Sequence, residues 1–193
     1  MSKSYSKTRV LVECALMIAI GTVLSNIKIF TMPNGGSVTL LSMLPFVLVS
    51  FRHGVKWGLF TGLVNGCLQM LLGFWAPPTP TFLYFLGEIL LDYLVAFTPL
   101  GLAGLFKGKK WGIFVGTVVG CLGRFVVHYI SGVTIYKILA PTEFMKWTFT
   151  SPSAYSLVYN GSYMLPNTII ALVIAAVLYK PLKKYILGQD LGN

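Results

Sequence analysis

Six apolar runs, each followed by a short polar stretch, leave this chain few ways to fold. They cover residues 8–27, 40–51, 54–72, 81–106, 111–138 and 154–179. A helix needs about 20 apolar residues to cross the hydrocarbon core of a bilayer. Five runs approach or exceed that length; the second is short, so it is tilted or begins within the preceding loop. Of the 193 residues, 55% are hydrophobic and only 10% charged, against about 25% charged in a soluble domain. The expectation is an all-α integral membrane protein, a single domain over residues 1–193 with six transmembrane helices. No run is followed by a small-residue cleavage site, so the first is expected to remain as a span rather than be removed as a signal.

The 15 Lys and Arg orient those spans. Lys3, Lys7 and Arg9 precede the first run, Arg52 and Lys56 fall between the second and third, Lys107, Lys109 and Lys110 between the fourth and fifth, and Lys180, Lys183 and Lys184 follow the sixth. The alternate loops carry only Lys28, Lys137 and Lys146. Basic residues gather on the cytoplasmic side, so both the N and C termini are expected there. A formal net charge of +10 is also a signature of nucleic-acid binding, but here the cations sit at loop ends rather than on one basic, aromatic face. Attraction to anionic lipid explains them, and nucleic acid is not an expected partner.

Cysteine and glycine point to packing. Cys14, Cys67 and Cys121 are isolated within apolar runs, which favours neither a disulfide framework nor a metal site. Gly58, Gly62 and Gly66 on the third run, and Gly112, Gly116 and Gly120 on the fifth, recur every fourth residue and let helices approach closely.

Function belongs with the intramembrane polar groups, because an ionisable residue at the centre of a spanning helix costs about 2.5 kcal/mol or more. Glu88 and Asp92 stand four apart on the fourth run, with Tyr84 one turn outward. Arg124 and His128 form a matching pair on the fifth, continued by Gly132 and Tyr136, and Asn160 is the polar group of the sixth. At about 1.5 Å per residue these fall into two layers, Glu88, His128 and Asn160 roughly 8–15 Å below the outer surface and Asp92 and Arg124 about 16–18 Å below it. The deeper layer can pair Asp92 with Arg124, either as a ligand site or as a device that fixes helix register. Tyr84, Tyr93, Tyr136, Tyr155 and Tyr159 either rim the group or form an interfacial belt.

Such a cavity suits a small, partly aromatic, polar or cationic ligand. No nucleophile–base arrangement, zinc motif or phosphate loop is present; the segment 104–110 contains GKK without the spacing of a nucleotide site. The chain is therefore read as no enzyme, with no cofactor. A free-standing carrier that uses Glu88, Asp92 and His128 as a proton path is one alternative.

Three strings on the last three runs carry a resemblance: LLDYLVAF (90–97), GRFVVHYISG (123–132) and AYSLVYNGSYMLP (154–166), joined by SFRHGVKWGLFTGL (50–63). Together they resemble the ThiT (YuaJ) family, the thiamin-specific S components of energy-coupling factor transporters. The resemblance implies a six-helix protein that captures thiamin in an outward pocket. Its partners would be a transmembrane coupling subunit and two cytoplasmic ATPases. The pocket residues it implies are Asp92, facing the aminopyrimidine, with Tyr93, Arg124, His128, Gly132, Tyr136, Tyr155 and Asn160. Some members carry Trp and Glu where this chain has Gly36 and Leu40, and a third-helix Trp falls near Asn65, so Trp75 or Phe74 is a candidate substitute. An S component for another vitamin or for a thiamin precursor is the remaining alternative.

Two further features gain meaning from the resemblance. The loop from Phe30 to Thr39 joins a rigid Pro33 to Gly35 and Gly36, as a lid over an outer cavity would. Ala15 and Ala19 on the first run present the small-residue spacing on which S components dock against their coupling subunit.

Overall fold

The computed structural model describes residues 7–33, 35–136 and 142–192. The expectations placed on Lys3, Asn34, Lys137 and the end of the fifth run at 138 lie outside these residues. Six helical segments follow the apolar runs: α1 (Lys7–Asn26), α2 (Leu44–His53), α3 (Val55–Leu72), α4 (Phe82–Phe106), α5 (Gly112–Thr134) and α6 (Pro152–Ile186). Four of them, α1, α4, α5 and α6, are long and apolar enough to cross a membrane. The chain is mostly helical, with two short hairpins, β1 (Lys28–Thr31) with β2 (Ser37–Thr39) and β3 (Thr142–Phe144) with β4 (Trp147–Phe149).

Burial in these helices follows packing rather than polarity. On α1 the stripe Val10, Cys14, Ile18 and Gly21 is buried, while Leu11, Val12, Leu16, Ile20 and Val23 point outward. An outward face of that kind is stable against lipid, not water. α2 is the opposite case. Every residue from Leu44 to Arg52 is buried, as expected for a helix that is apolar all round and central. It explains the short second run: the helix is enclosed by α1, α3, α4, α5 and α6. Gly54, at φ 95°, turns the chain directly into α3.

The two glycine stripes grip α4 from opposite sides. A methyl group at Gly58 would lie 2.8 Å from the Gly101 Cα, and one at Gly62 or Gly66 would overlap the Phe97 or Tyr93 carbonyl. On α5, Gly120 approaches the Leu100 Cα within 3.0 Å of such a methyl, and Gly116 meets the Ala103 carbonyl. Helix α4 is irregular where it is held. A π stretch, Ile89–Leu94, follows its first turns and a 3₁₀ stretch, Thr98–Phe106, ends it. Pro99 lacks an N–H and crowds the Val95 carbonyl four residues back, and beside it the Thr98 hydroxyl donates to the Leu94 carbonyl at 2.8 Å.

At the end of the bundle where α2 turns into α3, Arg52, read from the sequence as a cation between two runs, is buried. It is only 3% exposed. Its guanidinium donates to Glu13 of α1 and, at 2.6 Å, to Asp190 beyond α6, and it lies 3.8 Å above the Tyr185 ring. His53 meets the same Glu13 carboxylate at 2.8 Å. The cluster ties α1, α2 and α6 together. Lys107 adds a bond to the Arg52 carbonyl at 3.0 Å, and burial beside that guanidinium holds its ammonium below the ordinary lysine pKa.

Candidate ligand site

At the other end of the bundle a cavity of about 280 Å³ opens between the β1–β2 hairpin, α4, α5 and α6, near the lower end of the range for small-molecule sites. It contains Glu88, Asp92, Tyr93, Arg124, His128, Gly132, Tyr136, Tyr155 and Asn160. Tyr84 does not line it. It lies one turn outward of Glu88 in the regular first turns of α4, and the α4 lining of the cavity begins at Glu88.

Asp92 and Arg124 share the cavity without the direct pairing expected. His128 stands between them. Its Nδ1 lies 2.6 Å from Asp92 Oδ1, and its Nε2 accepts from the Arg124 Nε–H at 3.3 Å. His128 thus bridges the two charges, with Nε2 toward Arg124 and Nδ1 toward Asp92. The Ser131 hydroxyl donates to the second Asp92 oxygen, and Arg124 also stacks 3.7 Å over Phe97. The register reading took His128 for an upper-layer group, whereas the folded chain makes it the link between the charges.

Aromatic and amide groups build the opposite wall. Tyr155 and Tyr159 stack at 5.6 Å, and Phe144 of the second hairpin packs on both. The Asn160 amide donates to the Ser156 and His128 carbonyls at 3.0 and 3.3 Å, while the Tyr163 hydroxyl donates to its oxygen at 2.7 Å. Gly132 has no room for a side chain: a methyl there would meet the Ser156 hydroxyl and the Asn160 amide. Ser131, Tyr163 and Phe144 were not singled out from the sequence. Ser131 lies between the flagged His128 and Gly132, one turn beyond His128, and that spacing is the signal that could have found it.

The roof is the β1–β2 hairpin. Asn167 pins it, accepting from Thr39 N–H at 2.9 Å and donating to the Ser37 carbonyl at 2.8 Å. The Gly36 N–H donates to the Tyr159 hydroxyl at 3.2 Å, and a methyl at Gly36 would sit 2.7 Å from the Tyr163 ring. Trp75 lines the cavity beneath Gly35, and its backbone N–H donates to the Tyr93 hydroxyl at 2.7 Å. Phe74 stacks on Tyr93 instead. Leu40 and Asn65 do not line the cavity, and Asn65 accepts a bond from Thr22.

Apolar outer faces around a cavity lined by charged and aromatic groups mark a multi-pass membrane protein with room for a small ligand. The chain belongs to the thiamine transporter protein (Thia_YuaJ) family, whose model matches residues 11–187. It is 36% identical over 184 residues to the thiamine transporter ThiT of Bacillus subtilis (strain 168), covering 88% of this chain and 89% of that protein. It is 27% identical over 201 residues to the thiamine transporter ThiT of Lacticaseibacillus paracasei, covering 94% and 92%. The solved ThiT structure from Listeria monocytogenes superposes with a TM-score of 0.77 at 24% identity, over 93% of this chain and 98% of that one, a likeness of fold. The family is one of transport proteins rather than enzymes, and the chain is a multi-pass protein of the bacterial plasma membrane.

Proposed function

We propose that this chain is the S component of an energy-coupling factor transporter, capturing thiamin outside the cell for ATP-driven uptake. The observation that carries the reading is the meeting of Asp92, Tyr93, Arg124, His128, Gly132, Tyr136, Tyr155 and Asn160, drawn from three helices and the turn after α5, in one cavity. An acid at the depth of Asp92 suits the donors of an aminopyrimidine. The stacked Tyr155 and Tyr159 offer π faces to a cationic ring. All 193 residues then form one membrane domain of six crossings, with both ends in the cytoplasm, as the loop cations favour.

Ala15 and Ala19 are exposed on α1, which leaves them free to meet the coupling subunit. No nucleotide motif exists in this chain, so energy would come from two ATPases bound to that subunit. The test is thiamin uptake in cells making this chain with and without a coupling module. Uptake should require the module and ATP and survive collapse of the proton gradient. Uptake by the chain alone that stops when the gradient collapses would instead establish a proton-coupled carrier.

A further inference from the structure

Glu88 is the strongest unexplained group in the cavity. It is 2% exposed. The Tyr136 hydroxyl donates to Oε1 at 2.8 Å, while Oε2, also buried, has no partner among the described residues. Desolvation is costly for a carboxylate left partly unbonded, so such a group is expected to have a reason to be there.

The reason emerges from a charge count. Asp92 is linked to Arg124 through His128. Glu88 adds a second acid to the same cavity, so two carboxyl groups face one guanidinium. Among the described residues the neighbouring elements contribute no second buried cation: the α6 side offers Tyr155, Tyr159, Asn160 and Tyr163, and α3 offers Gln69. Lys28 reaches the cavity from the exposed strand β1, where water and salt screen it.

We propose that Glu88 is a specificity-determining counter-ion, which makes this cavity prefer an aromatic monocation over a neutral ligand of similar shape. The proposal rests on the thiamin reading and deepens it. The thiazolium supplies the cation, and the pyrimidine half alone does not. Asp92 orients a ring through hydrogen bonds, whereas Glu88 sets the net charge that the cavity accepts. Tyr136 holds the carboxylate in place.

The experiment measures equilibrium binding of thiamin and of neutral hydroxymethylpyrimidine to the purified protein and to Glu88→Gln and Glu88→Ala, with melting temperatures as a check on folding. Glu88→Gln keeps the shape and an acceptor for Tyr136 but removes the charge. Thiamin binding should weaken at least tenfold in both variants while binding of the neutral pyrimidine changes less than about twofold. Equal losses for the two ligands would make Glu88 a structural group and overturn the proposal, as would unchanged thiamin affinity in either folded variant. Failure of the unmutated protein to bind thiamin would remove the functional reading as well, which separates the two claims.

Discussion

Asp92→Asn and Arg124→Met should each weaken thiamin binding at least tenfold, about 1.4 kcal/mol, with most of the protein still folded. Asp92 accepts from His128 and Ser131, so the amide introduces a donor where two donors already point. Arg124 holds the other end of the relay, and its Nη1 is buried in the cavity wall without a partner among the described residues. Removing the guanidinium frees the His128 ring to turn and leaves the Asp92 charge without its balance. Calorimetry or fluorescence titration of each variant, alongside its melting temperature, reads the effect. If the pair only fixes helix register, the variants will melt earlier and the folded fraction will bind thiamin normally.

Ala15→Trp and Ala19→Trp should abolish uptake while leaving thiamin binding within about twofold. Both residues lie on the outward side of α1, away from the buried stripe of Val10, Cys14, Ile18 and Gly21. Neither reaches the cavity. An indole at either position would hold a docked helix off by several ångströms, and packing within this chain would be untouched. Transport assays in cells that also make the coupling module, paired with binding assays on the purified variants, separate the two effects. Normal transport by both variants would move the docking surface to another helix.

Spacing made the polar stripe of α4 and α5 readable, because residues four apart on a helix share a face. Glu88, Asp92, Arg124 and His128 all reach the cavity for that reason. Tyr84 does not, because a shared face does not fix depth: it stands one turn outward of Glu88, where the α4 lining of the cavity begins. The His128 relay was hidden because side-chain order within a layer depends on reach and rotamer rather than on depth. Contacts distant in sequence were least legible. Arg52 finds Glu13 and Asp190 across 39 and 138 residues, and no local pattern joins them. The β3–β4 hairpin turns through Met145 and Lys146, both at positive φ, without the Asn or Gly that normally announces such a turn.

Titrating thiamin into the purified chain alone, followed by intrinsic fluorescence, tests the central claim most directly. Trp75 lines the cavity beside Tyr93, with Tyr155 and Tyr159 on the opposite wall, so occupancy should reach these fluorophores. The account predicts saturable quenching at one thiamin per chain, without any partner subunit, and weaker binding of the pyrimidine precursor. A folded preparation that shows no saturable response to thiamin would contradict it.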